Sequence, residues 1–499
     1  MVNIFGINFT TIEIMDLIFL VLFSIWVFWF IRTRKKGISC EGRLLRIPLI
    51  FMYRTQVGVN IINWIGSKFK RILTALKYVI IVVGFALMGG IVWFLTKSII
   101  RYVATPEMAE IVKGPPIAPV IPYFPKIFGM QSFFPDFYFV YFLIAIAIVM
   151  VVHEFSHGIL MKLYGVKIKS TGILFFGPFL GAFVEQEDKS FVKKPKTEQM
   201  AILGAGVFSN VLTGIFFLII WILMFSFLFV PAGYQFDSYV SATIPVNMID
   251  SFGEDLGSHN ILPFGDLSVK RNLSEVKING TIFLVGSDGK KMLQENESLL
   301  NTNLVLNAFI DAPAIRNQMR GRIIEADGVK IKSQEDLRNY MARKNPGDEV
   351  NFVLKQYNGE DKEYLIELGI HPANSSLPFI GVSYGSGSSG TGFGAKIIQF
   401  IKDPSSSVTD PATHYEPIIF GDVINFIYFL VWWIVLLNFG IALFNMLPGG
   451  PFDGGRFFYL TVLGITRSEK FSKFISRLMG YVLLMWVIII MSVYFVRLF

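Results

Sequence analysis

The sequence predicts a multi-pass α-helical membrane protein with about six transmembrane helices and one soluble α+β domain, and three observations carry that reading. The 499 residues are 53% hydrophobic and only 16% charged, a balance that makes lipid the main solvent. Apolar runs of about twenty residues, the length that crosses a hydrocarbon core as helix, recur at 14–32, 78–97, 136–160, 200–230, 423–447 and 478–496. Between the fourth and fifth runs lies one long polar excursion.

The charges orient these spans. The first apolar stretch, Leu17 to Ile31, is followed by Arg32, Arg34, Lys35 and Lys36, the reverse of a cleavable signal peptide. It reads as a retained span with its amino terminus outside the cytoplasm. Segment 33–77 adds Arg43, Arg46, Arg54, Lys68, Lys70, Arg71 and Lys77 against the single acid Glu41, which makes it cytoplasmic. Segment 106–135, rich in proline and aromatics, is expected along the outer membrane surface. Alternation assigns the next two cytoplasmic connections, and both are basic: Lys162, Lys167, Lys169, Lys189, Lys193, Lys194 and Lys196 in one, Arg467, Lys470, Lys473 and Arg477 in the other. Asn-x-Ser/Thr patterns at Asn8, Asn272, Asn279, Asn296 and Asn374 all fall on the exterior side. Both termini are therefore expected outside.

Within the excursion, Asn307 to Leu368 has alternating strands and a helix that starts at Ser333-x-x-Asp336 and runs to about Ala342. Glycine and serine crowd Tyr384 to Gly394 as a flexible tether. The expected organisation is a two-helix membrane region 1–135, a first membrane core segment 136–232, an exterior domain 233–370, a linker 371–420 and a second core segment 421–499. The net charge of +8 sits beside apolar spans, so it reads as positive-inside bias and excludes nucleic acid as a partner. With Cys40 alone, no intrachain disulfide and no thiolate metal cluster can form, so any metal uses His, Asp or Glu.

His153-Glu154-Phe155-Ser156-His157 puts two imidazoles one helical turn apart on one face, with a carboxylate between them that can take a proton from water. Five histidines make such a pattern by chance about 0.004 times per chain of this composition. Its bland reading, a polar helix end at the headgroups, conflicts with a cost of roughly 2.5–3.5 kcal/mol for each unpaired ionisable group at membrane depth. Zinc held by two neutral imidazoles and a carboxylate removes that conflict. The remaining acid at the inner end of a span is Asp453, in Asn445-Met446-Leu447-Pro448-Gly449-Gly450-Pro451-Phe452-Asp453-Gly454, where an apolar helix is broken. Taken alone, Asp453 reads equally well as a surface Asp-Gly turn. The third and fifth spans both run inward, which brings the two motifs to one depth, and irregular backbone at that depth is tolerated where it lines a polar cavity.

The HEFSH motif, the Asn445-to-Gly454 stretch and Gly206-x-x-x-Asn210 together resemble the site-2 protease family of intramembrane metalloproteases, over about 136–499 and most closely its archaeal branch. The resemblance implies zinc on His153, His157 and Asp453, Glu154 as general base and Asn445 as a donor to the transition state or the substrate backbone. It implies that Ser170 to Glu185 is the family's re-entrant β-hairpin, with Gly177, Phe179 and Gly181, together with Asn210, on the substrate side. Ala312-Pro313-Ala314 and Gly321 to Gly328 resemble the PDZ domain of many members. Substrates would be single-span proteins met within the lipid bilayer. Two alternatives stand beside this one: a membrane zinc peptidase acting on soluble tails, and a catalytically silent scaffold that binds membrane helices.

Single-cysteine labelling tests the topology: Lys193→Cys should react only from the cytoplasmic side and Lys332→Cys only from outside. The opposite sidedness at either position contradicts it.

Overall fold

The computed structural model describes residues 2–4, 7–9, 11–34, 38–44, 47–104, 120–127, 134–261, 270–296, 299–300, 302–356, 359–384, 410 and 412–498. Expectations resting on Lys35, Lys36, Arg46, most of 106–135 and the tether after Tyr384 lie outside the described residues. The chain forms two compact units, one of Met1–Ser226 with Asn425–Phe499, the other of Phe227–Ile424.

The first unit is helical. Its elements are α1 (Thr11–Thr33), α2 (Val57–Lys68), α3 (Lys77–Ala104), α4 (Phe139–Leu163), α5 (Lys196–Leu228), α6 (Gly421–Asn445), α7 (Asp453–Thr466) and α8 (Glu469–Leu498). Among the described residues six helices, α1, α3, α4, α5, α6 and α8, are long and apolar enough to cross a membrane. They coincide with the six apolar runs. α6 is the most enclosed, while α1 and α8 have few fully buried residues.

Two acids that hydropathy passes over tie α1 down, Asp16 to the helix carrying the histidines and Glu13 to Lys126. Asp16 accepts from the backbone N–H of Phe139 (2.6 Å) and Val140 (3.1 Å), satisfying donors that the first turn of α4 leaves without a helical partner. The Tyr123 hydroxyl also donates to Asp16, and Lys126 Nζ donates to Glu13 at 2.7 Å. Glu13 and Asp16 are both buried, so these bonds are made where an unpaired charge would be costly.

Segment 33–77, read above as a basic loop, holds more order than its charge suggests. It contains strands β1 (Ile38–Leu44) and β2 (Ile47–Thr55) as well as α2. These strands continue into β3 (Ile168–Phe176) and β4 (Phe179–Gln186), giving an antiparallel sheet of order β1-β2-β3-β4. Ser170 to Glu185 is thus a hairpin, turning at Gly177 (φ +57°) and Pro178, and it is one half of a four-stranded sheet. The β2–β3 pairing is reinforced where Arg54 and Ser170 both reach the Glu185 carboxylate, at 3.1 and 2.9 Å. Long-range pairing of this kind has no local signature in a basic, aromatic-rich segment.

Among the described residues, the two largest sheets of the second unit hold six and five strands. One runs Asp361–Glu367, Glu349–Lys355, Arg322–Ala326, Phe229–Gln235, Thr413–Pro417 in spatial order, with Val329–Lys330 paired to Arg322–Ala326. The helix Gln334–Met341 lies where the capping pattern puts it: Ser333 Oγ accepts from Asp336 N at 3.1 Å. The sequence shows no clear pattern for this domain's first strands. The structure draws one from Phe229–Gln235, which starts in the last two residues of the run assigned to the fourth span, because Phe229 and Val230 continue that run and hide the helix end. Ser241–Pro245, Ser251–Asn260, Lys270–Ile278, Thr281–Gly286 and Val305–Ile310 make a separate five-stranded sheet.

Candidate metal centre

His153, Glu154 and His157 lie on α4, where the 3.6-residue period stacks the two imidazoles 4.7 Å apart, ring centre to ring centre. The third candidate ligand arrives from the far side of a broken helix. α6 stops at Asn445, Gly450 takes a left-handed turn (φ +67°), and α7 begins at Asp453. The return is tight. A Cβ on Gly454 would collide with the Met446 and Leu447 carbonyls, and one on Gly455 would stand 2.9 Å from the Gly450 oxygen. The glycines after Asp453 therefore let α7 start against the backbone of the break, with its first residue aimed at α4.

The result is a closed triangle of ligand atoms. His153 Nε2 lies 3.1 Å from Asp453 Oδ2 and 3.1 Å from His157 Nε2, and His157 Nε2 lies 3.2 Å from Asp453 Oδ2. A tetrahedral zinc with bonds of about 2.0–2.1 Å requires ligand atoms roughly 3.3 Å apart, so the spacing fits. The outer contacts bear on the same question. His157 Nδ1–H donates to the Ile202 carbonyl at 2.7 Å, which in the neutral ring makes Nε2 a lone pair. That lone pair faces another imidazole nitrogen and a carboxylate oxygen, an arrangement that a shared cation relieves. Both histidines are nearly inaccessible, at 3% and 6% exposure. The group His153, His157 and Asp453 can hold a metal ion.

Asn210, fully buried on α5, places its amide Nδ2 3.1 Å from His153 Nδ1, and among the described residues its Oδ1 has no hydrogen-bond partner. A half-turn of the amide turns Oδ1 to accept from Nδ1–H, the tautomer that leaves His153 Nε2 for a metal. Gly206, one turn earlier, supplies the space: a Cβ there would lie 2.5 Å from His157 Nε2 and 2.7 Å from His153 Cε1. Asn445 Nδ2 stands 3.4 Å from His153 Nε2, at the rim of the triangle. Glu154 points beside the triangle, and its Oε2 accepts from Val184 N–H on β4 at 3.2 Å.

The structure thus brings together His153, Glu154, His157, Asn210, Asn445 and Asp453. Gly177, Phe179 and Gly181 are apart from them, at the turn and the start of β4, with the Phe179 ring 5.3 Å from that of Phe142. The strand residue that reaches the centre is Val184. It and Ile202 act through backbone atoms, so their side chains carry no signal. Gly206 does carry one, since it precedes Asn210 by four residues and so shares its helix face.

A family model described as peptidase family M50 matches residues 141–487, which include every residue of the centre. An uncharacterized protein of Methanocaldococcus jannaschii is 44% identical over 86 residues, 17% of this chain. That match spans 23% of the relative's own length.

Chelator competition on the purified protein measures the second layer. Asn210→Leu is expected to weaken zinc binding by about 10–100-fold, and Gly206→Ala to weaken it as well by displacing the imidazoles. Unchanged affinity in both variants would contradict the geometry above.

Proposed function

The chain belongs to peptidase family M50, and from that premise we propose that it is an intramembrane zinc endopeptidase hydrolysing peptide bonds within or next to the membrane-spanning segments of single-span proteins. The observation that carries this reading is the triangle of two Nε2 atoms and one Oδ2, 3.1–3.2 Å on a side and set among apolar helices. His153, His157 and Asp453 hold the zinc. When bound, it supplies Lewis-acid polarisation of water and of the scissile carbonyl.

The other roles follow from position. Val184 N–H holds Glu154 Oε2, which leaves Oε1 to accept a proton from water and then deliver it to the leaving amine. Asn445, an amide that does not titrate, donates to the carbonyl oxygen as negative charge develops there. A substrate helix hides its peptide bonds in its own hydrogen bonds and must open before it can be cut. β4 ends the sheet, and the outward Val184 N–H implies by alternation that Leu180 and Ala182 also turn backbone groups to that edge. An unwound substrate segment adds there as a strand beside Glu154. This is the role of the hairpin, with Gly177, Phe179 and Gly181 at its membrane-entering tip.

The basic loops support an orientation with both termini outside and the centre near the cytoplasmic face. The exterior unit serves as a PDZ-like module that binds extended peptide ends; a cavity of about 440 Å³ lined by Tyr234, Leu337, Met341, Phe379, Ile380 and Val382 supports it. The same chemistry serves regulated release of tethered proteins and clearance of signal remnants.

Cleavage of a single-span substrate by reconstituted protein, with zinc measured in parallel, tests the reading. Glu154→Gln should keep its zinc and lose at least about 100-fold in rate, and Ala182→Pro should slow cleavage with zinc retained. Activity surviving in Glu154→Gln would refute the assigned base, and unchanged turnover in Ala182→Pro would refute strand addition.

A further inference from the structure

α2 has an outward surface that none of the chemistry above uses. Its twelve residues are too short to span a membrane, and they divide into three faces. Gly58, Ile62 and Gly66, four apart, are buried against α4. A Cβ on Gly58 would stand 3.0 Å from the Phe155 ring; Ile62 fills the space over Gly158; Gly66 lies against Lys162 and the Ile159 carbonyl. α2 therefore rests on the histidine-bearing turn of α4 and on the turn that follows it.

A second face is apolar and uncovered: Val57, Ile61 and Trp64 are 68%, 45% and 59% exposed. The third is polar, with Asn60, Asn63 and Ser67. Basic residues follow at Lys68, Lys70 and Arg71, and Lys68 Nζ lies 4.6 Å from the Trp64 ring centre. Only Phe69 to Leu76, about 12 Å at helical rise, separates α2 from the membrane-length helix α3. An amphipathic helix so close to a span, with tryptophan on its apolar face and cations at its end, has the pattern of a helix lying in a bilayer interface.

Beside the polar face is a cavity of about 360 Å³, lined among others by Asn63, Lys162, Gly165 and Lys167. Among the described residues no acid lines it and neither lysine enters an ion pair. The carbonyls at the end of α4 do not need these cations, since Tyr164, Gly165 and Val166 N–H donate to Leu160, Lys162 and Met161. Two lysines and an asparagine lining one cavity offer donors and positive charge suited to an anion.

We infer that α2 lies in the membrane interface with Val57, Ile61 and Trp64 among the acyl chains, and that the cavity between α2 and the end of α4 takes the phosphate of an anionic phospholipid. The lipid joins α2 to the helix that carries His153 and His157. This inference is independent of the proteolytic reading, and metal-stripped protein should behave identically.

The test uses full-length protein in phosphatidylcholine vesicles containing a minor fraction of brominated phosphatidylglycerol or brominated phosphatidylcholine. The Trp64 signal is the difference between the protein and its Trp64→Phe variant. Stronger quenching by the anionic lipid is expected, with a preference on the order of 5-fold for each lysine engaged, lost in Lys162→Gln/Lys167→Gln. Quenching by aqueous acrylamide in place of brominated lipid would overturn the interfacial placement, as would protection from both by a second copy of the chain. Equal quenching by the two lipids, or loss of the preference on adding millimolar inorganic phosphate, would overturn the lipid assignment.

Discussion

Three electron-pair donors, two imidazole nitrogens and one carboxylate oxygen, meet within 3.2 Å of one another among helices whose outer surfaces are apolar. Such a cluster is repulsive by itself and expensive to desolvate, and a shared cation reverses both terms. Much of the surrounding fold reads as a consequence. α6 must break so that an aspartate 300 positions from His153 can return to it, and the break is made of prolines and glycines because the returning helix packs directly on its backbone. α5 must come close enough for Asn210 to touch His153, which only a glycine at position 206 allows. The match to peptidase family M50 takes in every residue of this arrangement.

The sheet does the complementary work. Its last strand, β4, lies along α4 and spends a backbone donor on Glu154, so the edge of the sheet orients that carboxylate. β1 and β2 brace the hairpin from the other side, with Arg54 and Ser170 converging on Glu185. A hairpin of two strands alone is marginal in any solvent, and the added pair gives it a partner along its length. At the opposite end of α4, Asp16 closes the first turn.

What the sequence made legible follows from the length scale of each signal. Six spans were readable because crossing a bilayer needs some twenty apolar residues in a row, and the His153–His157 pair because one helical turn fixes its geometry. Asp453 was readable only jointly, through the broken helix and the inward direction shared by its span and that of His153. Asp16 and Glu13 gave no sign, since two acids in an apolar run do not announce that one will cap a distant helix and the other pair with a lysine. β1 and β2 were hidden because strand pairing with β3 spans more than a hundred residues and leaves no local pattern. Val184 and Ile202 contribute backbone atoms, to which the side-chain alphabet is blind.

The central claim is that one cation is shared by His153, His157 and Asp453. Zinc-edge X-ray absorption on the purified full-length protein tests it most directly. The account predicts one zinc per chain, with imidazole scattering from two rings at about 2.0–2.1 Å, oxygen at about 2.0–2.2 Å and no sulfur, and loss of one oxygen ligand in Asp453→Ala. A protein that retains no zinc, or a zinc shell that lacks two imidazoles or is indifferent to Asp453→Ala, would contradict it.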